Sequence, residues 1–89
     1  MARRKRRGPI AIAIRNLCSR TLLKPANEIQ FKEGLRKIIN EWGPAFFYHI
    51  CLAIQSWVVD YAADKKEEIW QLVDQVEPRI RREFEKMAD

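Results

Sequence analysis

The sequence predicts an all-α fold, a small bundle of three to four helices preceded by a basic N-terminal arm. Apolar residues recur every three to four positions in several segments, Gly and Pro separate most of those segments, and a dense group of basic residues stands at the start. A chain of 89 residues makes one domain at most. We therefore divide the chain into the arm, residues 1–8, and a single helical domain, residues 9–89.

The first helix is predicted to begin at Pro9, because proline suits the first turn of a helix, and to end before Pro25. Its apolar positions follow the helical period: Ile10, Ile14, Leu17 and Cys18. Residues 10–14 also alternate Ile with Ala, a pattern that β-strands share. The sequence favours a helix here and leaves a strand as the alternative.

The second helix has clear start and stop signals. Asn27 is a good N-cap with Gln30 three residues later, as in a capping box, and Gly43 suits the C-terminal end. Gly34 weakens the helix interior or allows the close approach of another segment. The apolar positions are Phe31, Leu35, Ile38, Ile39 and Trp42.

The third helix is predicted from about Pro44 to Ala63, and a fourth follows, capped by Asp64 and kinked or restarted at Pro78. The third carries a wide apolar arc that would make it central to the core: Phe47, Ile50, Leu52, Ile54, Trp57, Val58, Val59 and Tyr61. The fourth carries a regular stripe: Ile69, Val73, Val76, Ile80, Phe84 and Met87. Residues 44–77 also fit one long rod, which a second chain would have to cover.

Charge is distributed very unevenly along the chain. Residues 1–27 hold eight Lys and Arg and no acid, whereas residues 28–89 hold nine Lys and Arg against twelve Asp and Glu. Such a concentration of positive charge favours a polyanionic partner, so we expect a small, basic nucleic-acid-binding or assembly protein that binds RNA or DNA. The candidate phosphate contacts are Arg3, Arg4, Lys5, Arg6, Arg7, Arg15 and Arg20.

A second hypothesis is a protein-interaction module: an adaptor, inhibitor or complex subunit that docks through an aromatic helical face. Trp42, Phe46 and Phe47 flank the predicted turn at Gly43 and are the candidate partner-binding residues. Nine aromatic residues are a large number for so short a chain, and small helical domains often complete their cores by association. We therefore expect a homo-oligomer or a protein partner.

Catalytic chemistry has little support in the sequence. His49 is the only histidine, no nucleophile and base can be paired with it, and no spacing of His, Cys and acids is typical of a metal site. No glycine-rich phosphate loop occurs. We therefore expect no enzyme activity, no cofactor and no small-molecule substrate.

The sequence favours an intracellular protein without a membrane span. The apolar segment 44–63 is interrupted by His49, Ser56 and Asp60, and charge is costly within a bilayer. Cys18 and Cys51 are isolated in apolar surroundings, which is typical of buried thiols in a reducing compartment. The basic arm also fits a nuclear import signal, in a eukaryotic or viral protein, or a mitochondrial presequence.

Overall fold

The computed structural model describes residues 8–23 and 25–88, with side chains up to residue 86. These residues form five α-helices and no strand: α1 (Gly8–Thr21), α2 (Glu28–Trp42), α3 (Phe47–Tyr61), α4 (Lys66–Val76) and α5 (Pro78–Ala88). The predicted all-α class is confirmed, and the strand alternative for residues 10–14 is wrong because they form the first turns of α1. The bundle has one helix more than the three to four predicted.

The five helices pack as a closed ring. α1 lies between α2 and α3, α3 also packs on α5, α5 on α4, and α4 returns to α2. Each helix thus has two principal neighbours, and its remaining side faces outward. The apolar side chains of all five helices meet inside this ring in one core.

The turn between α1 and α2 is fixed by Asn27 and Thr21. The Asn27 side-chain oxygen accepts a hydrogen bond from the backbone N–H of Gln30 at 3.1 Å, as predicted for an N-cap. The second half of the predicted capping box is wrong, because the Asn27 backbone N–H donates to the Thr21 carbonyl at 2.6 Å and not to the Gln30 side chain. The buried Thr21 hydroxyl donates to the carbonyl of Leu17 at 2.6 Å, so these polar groups form their hydrogen bonds within the turn itself.

Two glycines have the roles that the sequence predicts. Gly43 adopts a φ of 84°, where glycine is favoured, and its N–H donates to the carbonyl of Ile39 at the end of α2. A short 3₁₀ turn, Pro44–Phe46, leads from there into α3. Gly34 faces α1, and a Cβ there would overlap the Leu17 side chain. The absence of a side chain at Gly34 therefore lets α1 and α2 approach closely.

Residues 44–77 form two helices, so the single-rod alternative is wrong. The chain breaks at Ala62, with φ −149° and ψ 43°, and passes through a 3₁₀ turn, Ala63–Lys65. The prediction that Asp64 caps the next helix is also wrong, since it lies within this turn and no side chain caps α4. The restart at Pro78 is confirmed. There the Glu77 carboxylate accepts the backbone N–H of Arg79 at 3.2 Å and caps α5.

The predicted core is confirmed in α1, and in α2 the inner residues are buried while Ile39 and Trp42 pack at its edge. In α3 three predicted core positions are wrong: Leu52, Val59 and Tyr61 are exposed, because α3 has two principal neighbours rather than a complete shell. The other apolar residues of its arc are buried. In the fourth stripe Ile69, Val73 and Ile80 are buried, while Val76 and Phe84 pack at the edge of the core. The side chain of Met87, the last residue of that stripe, lies outside the described part of the chain.

Two indoles join helices inside the bundle. Trp57 of α3 is fully buried, and its Nε1 donates to Ser19 Oγ of α1 at 3.1 Å. Trp70 of α4 donates through Nε1 to Gln55 Oε1 of α3 at 3.4 Å. Both cysteines are free and buried, and burial raises the pKa of Cys18 and of Cys51 to about 12. At neutral pH both are therefore unreactive thiols that pack as small apolar groups.

Candidate polyanion-binding surface

The side of α1 that faces away from the core carries positive charge and no acid. Its buried residues recur at the helical period, so the intervening positions are left at the surface. We call this surface the α1 outer face, and its exposed residues are Pro9, Ile12, Arg15, Asn16, Ser19 and Arg20, with Leu23 just after the helix. The positive charge of the N-terminal sequence thus continues onto an ordered helix.

Arg15 and Arg20 are exposed, and neither takes part in an ion pair within the described part of the chain. The five-residue spacing places them on opposite flanks of the α1 outer face. Asn16 and Ser19 lie between them. Because Ser19 Oγ accepts from the Trp57 indole, its own hydroxyl hydrogen is left to donate elsewhere. The α1 outer face therefore offers several donors to an anion.

The cations of α5 are arranged differently. Arg79 forms a two-point contact with the Glu77 carboxylate, at 2.8 and 3.1 Å, and its guanidinium lies 5.3 Å from the centre of the Phe47 ring. These hydrogen bonds hold the pKa of Glu77 below its ordinary value. Arg81 bonds Asp74 at 2.9 Å and reaches Glu67 at 3.5 Å. These two arginines are neutralised by the protein itself.

The arm contacts predicted at Arg3, Arg4, Lys5, Arg6 and Arg7 lie outside the described residues. They immediately precede Gly8, where α1 is first described. In sequence, the arm is therefore continuous with the α1 outer face. Of the seven predicted phosphate contacts, the structure places Arg15 and Arg20, both on that one surface.

The three aromatic residues predicted to bind a partner have different environments. Phe47 is 5% exposed and lies in the core, so its ring is not available at the surface. Trp42 and Phe46 are half-buried and meet edge to face, with ring centres 5.3 Å apart. The turn thus presents the outer parts of two rings.

An open groove between α1 and α3 is a feature that sequence reasoning did not find. Its volume is about 330 Å³, and its polar lining comes from Arg15, His49 and Ser56. Its apolar lining includes Leu52 and Ala53 of α3. Arg15 therefore belongs both to the α1 outer face and to this groove, a juxtaposition that depends on how α1 packs on α3.

Three apolar side chains are exposed along α3. Tyr48, Leu52 and Val59 recur at helical spacing, and all three are substantially exposed. The exposed polar residues His49, Ser56 and Asp60 lie beside them, so this side of α3 is mixed in character.

His49 lies beside aromatic rings, with its ring centre 5.7 Å from that of Phe46 and 5.9 Å from that of Tyr48. Among the residues that the structure describes, no three His, Cys, Asp or Glu side chains lie close enough together to hold a metal ion. Over the same described ranges, no helix has the length and apolar character needed to cross a bilayer.

Fold and surface together define a small all-α protein in which one helix of a five-helix ring has a cationic outer face. No protein-family model, curated protein or solved structure matches it at a significant level. Its function is therefore inferred from the surface chemistry of its own residues.

Proposed function

We propose that this chain is a non-enzymatic nucleic-acid-binding protein that contacts phosphates through its N-terminal arm and the α1 outer face. The observation that carries the proposal is the pair Arg15 and Arg20, which are exposed on a helix without acids and have no ion-pair partner in the described ranges. Arginine offers two-point hydrogen bonding to phosphate, and each phosphate neutralised releases condensed counterions.

The separation of charge along the chain supports the same proposal. Residues 28–89 carry an excess of three acids, and two arginines of α5 are already paired internally. A polyanion would therefore be repelled by much of the surface and attracted to residues 1–27. This asymmetry would orient the protein on a nucleic acid without reading its sequence.

Titration of labelled oligonucleotides with the full chain tests this function. We expect a dissociation constant in the micromolar range or tighter at low salt, and affinity that falls steeply as salt is added, because counterion release drives the association. The experiment uses single-stranded and duplex forms of RNA and DNA and follows fluorescence anisotropy. Absence of binding to every form at low salt would rule the function out.

A further inference from the structure

We propose that the groove between α1 and α3 accepts one unpaired nucleotide of a single strand. This inference rests on the proposed function and adds a specific subsite to it. It would make the protein prefer single-stranded over duplex nucleic acid, which phosphate contacts alone do not require.

The polar lining of the groove is suited to an anionic group. Arg15 donates through a planar guanidinium, and the hydroxyl of Ser56 and the imidazole of His49 add hydrogen-bonding groups from the facing helix. All three side chains are exposed, and none of the described residues that line the groove is an acid. A negatively charged group entering the groove therefore meets donors without a competing carboxylate.

The apolar lining of the groove indicates which kind of group can bind beside the anionic one. Ala53 is buried at the floor, and Leu52 forms a partly exposed wall. A volume of about 330 Å³ is at the small end of the range for ligand pockets, about 300–1,000 Å³. The groove thus has room for one compact, flat apolar group beside a cation, as a nucleobase attached to its phosphate provides.

Continuity with the α1 outer face selects a nucleotide over other small anions. Arg15 lines the groove and also flanks that face. A strand whose phosphates follow Arg15 and Arg20 would therefore pass the opening of the groove, and one base could turn inward. Bases in a duplex are stacked and paired, so only an unpaired base can enter without the cost of opening the helix.

The test compares a short single strand, the duplex of the same sequence and a nucleoside monophosphate, each with the full chain. The variant Ser56→Leu fills the groove without changing charge at an exposed position. Asn40→Leu is the matched control, since Asn40 is a neutral, exposed residue of α2 outside the groove. Amide and side-chain NMR signals of Arg15 and His49 report where the nucleotide binds.

We expect Ser56→Leu to weaken single-strand binding roughly tenfold, the order of one base contact, and to leave duplex binding and the control variant unchanged. The single strand and the monophosphate should shift the Arg15 and His49 signals, and the duplex should not shift His49. Equal affinity of the parent for both forms, or unchanged single-strand binding by Ser56→Leu, would overturn the groove subsite while phosphate binding stands. If the parent chain binds no oligonucleotide at all, the proposed function itself is refuted.

Discussion

Replacing Trp57 with Ala is expected to remove a large share of the stability of the fold. Trp57 is fully buried on the side of α3 that faces α1, and its ring also contacts Tyr61 at 5.4 Å between centres. Truncation of a buried Trp to Ala costs about 3–5 kcal/mol. The free energy of unfolding of folded domains is about 0.05–0.15 kcal/mol per residue, or roughly 4–13 kcal/mol for a chain of this size.

Chemical denaturation followed by circular dichroism measures this loss. We expect the free energy of unfolding to fall by about 3–5 kcal/mol in Trp57→Ala. Tyr61→Ala is the control on the same helix, and it should cost much less because Tyr61 is 56% exposed. Equal effects of the two substitutions would show that the α1–α3 contact is not a principal source of stability.

Ser19→Ala separates the indole hydrogen bond from the packing of the ring. This change leaves the buried N–H of Trp57 without its partner on α1, which costs about 1–3 kcal/mol for a buried donor. Trp57→Phe removes the N–H donor itself, and the exposed Ser19 can then hydrogen-bond to water. Adding Ser19→Ala to Trp57→Phe should therefore lower the free energy of unfolding only slightly further.

The contact between Trp57 and Ser19 illustrates how far sequence reasoning extends. The 3.6-residue period predicts that Trp57 is buried, because the period is a local property of α3. The contact partner lies 38 residues away on α1. It depends on which helices become neighbours, and a single sequence contains no signal for that.

The errors in the predicted core of α3 have the same origin. Leu52 and Val59 are apolar, but the closed ring gives α3 two principal neighbours and leaves their side of the helix outside. The break at Ala62 involves neither Gly nor Pro, so the sequence predicts two helices here but leaves one long rod open as an alternative. The boundaries marked by Gly43 and Pro78, by contrast, were predictable from the backbone preferences of those residues.

The candidate site divides in the same way. The excess of cations in residues 1–27 and the absence of acids among them are properties of the sequence. The groove is not, because it needs Arg15 of α1 beside His49 and Ser56 of α3. Nor does the sequence separate Arg79 and Arg81, which pair with acids, from Arg15 and Arg20, for which the described residues provide no ion-pair partner.

The arm and α1 should each contribute to the salt dependence of binding in proportion to the number of cations that they hold. If Arg3, Arg4, Lys5, Arg6 and Arg7 and the two arginines of α1 each neutralise one phosphate, log K against log salt has a slope of about −6 on duplex DNA, at about 0.9 per phosphate. A fourfold rise in salt then weakens binding by roughly three to four orders of magnitude. Salt concentration is therefore expected to change the affinity more than any single substitution does.

Removal of residues 1–7 should reduce that slope to about −2, and Arg15→Gln with Arg20→Gln should reduce it to about −4.5, since each lost contact subtracts about 0.9. The control is Arg36→Gln with Arg82→Gln, which removes the same charge from exposed positions on α2 and α5. If the control flattens the slope as much as the α1 variant does, binding responds to net charge alone. A slope unchanged in the α1 variant would remove Arg15 and Arg20 from the interface and leave the arm as the sole candidate, because the groove and the α1 outer face share Arg15.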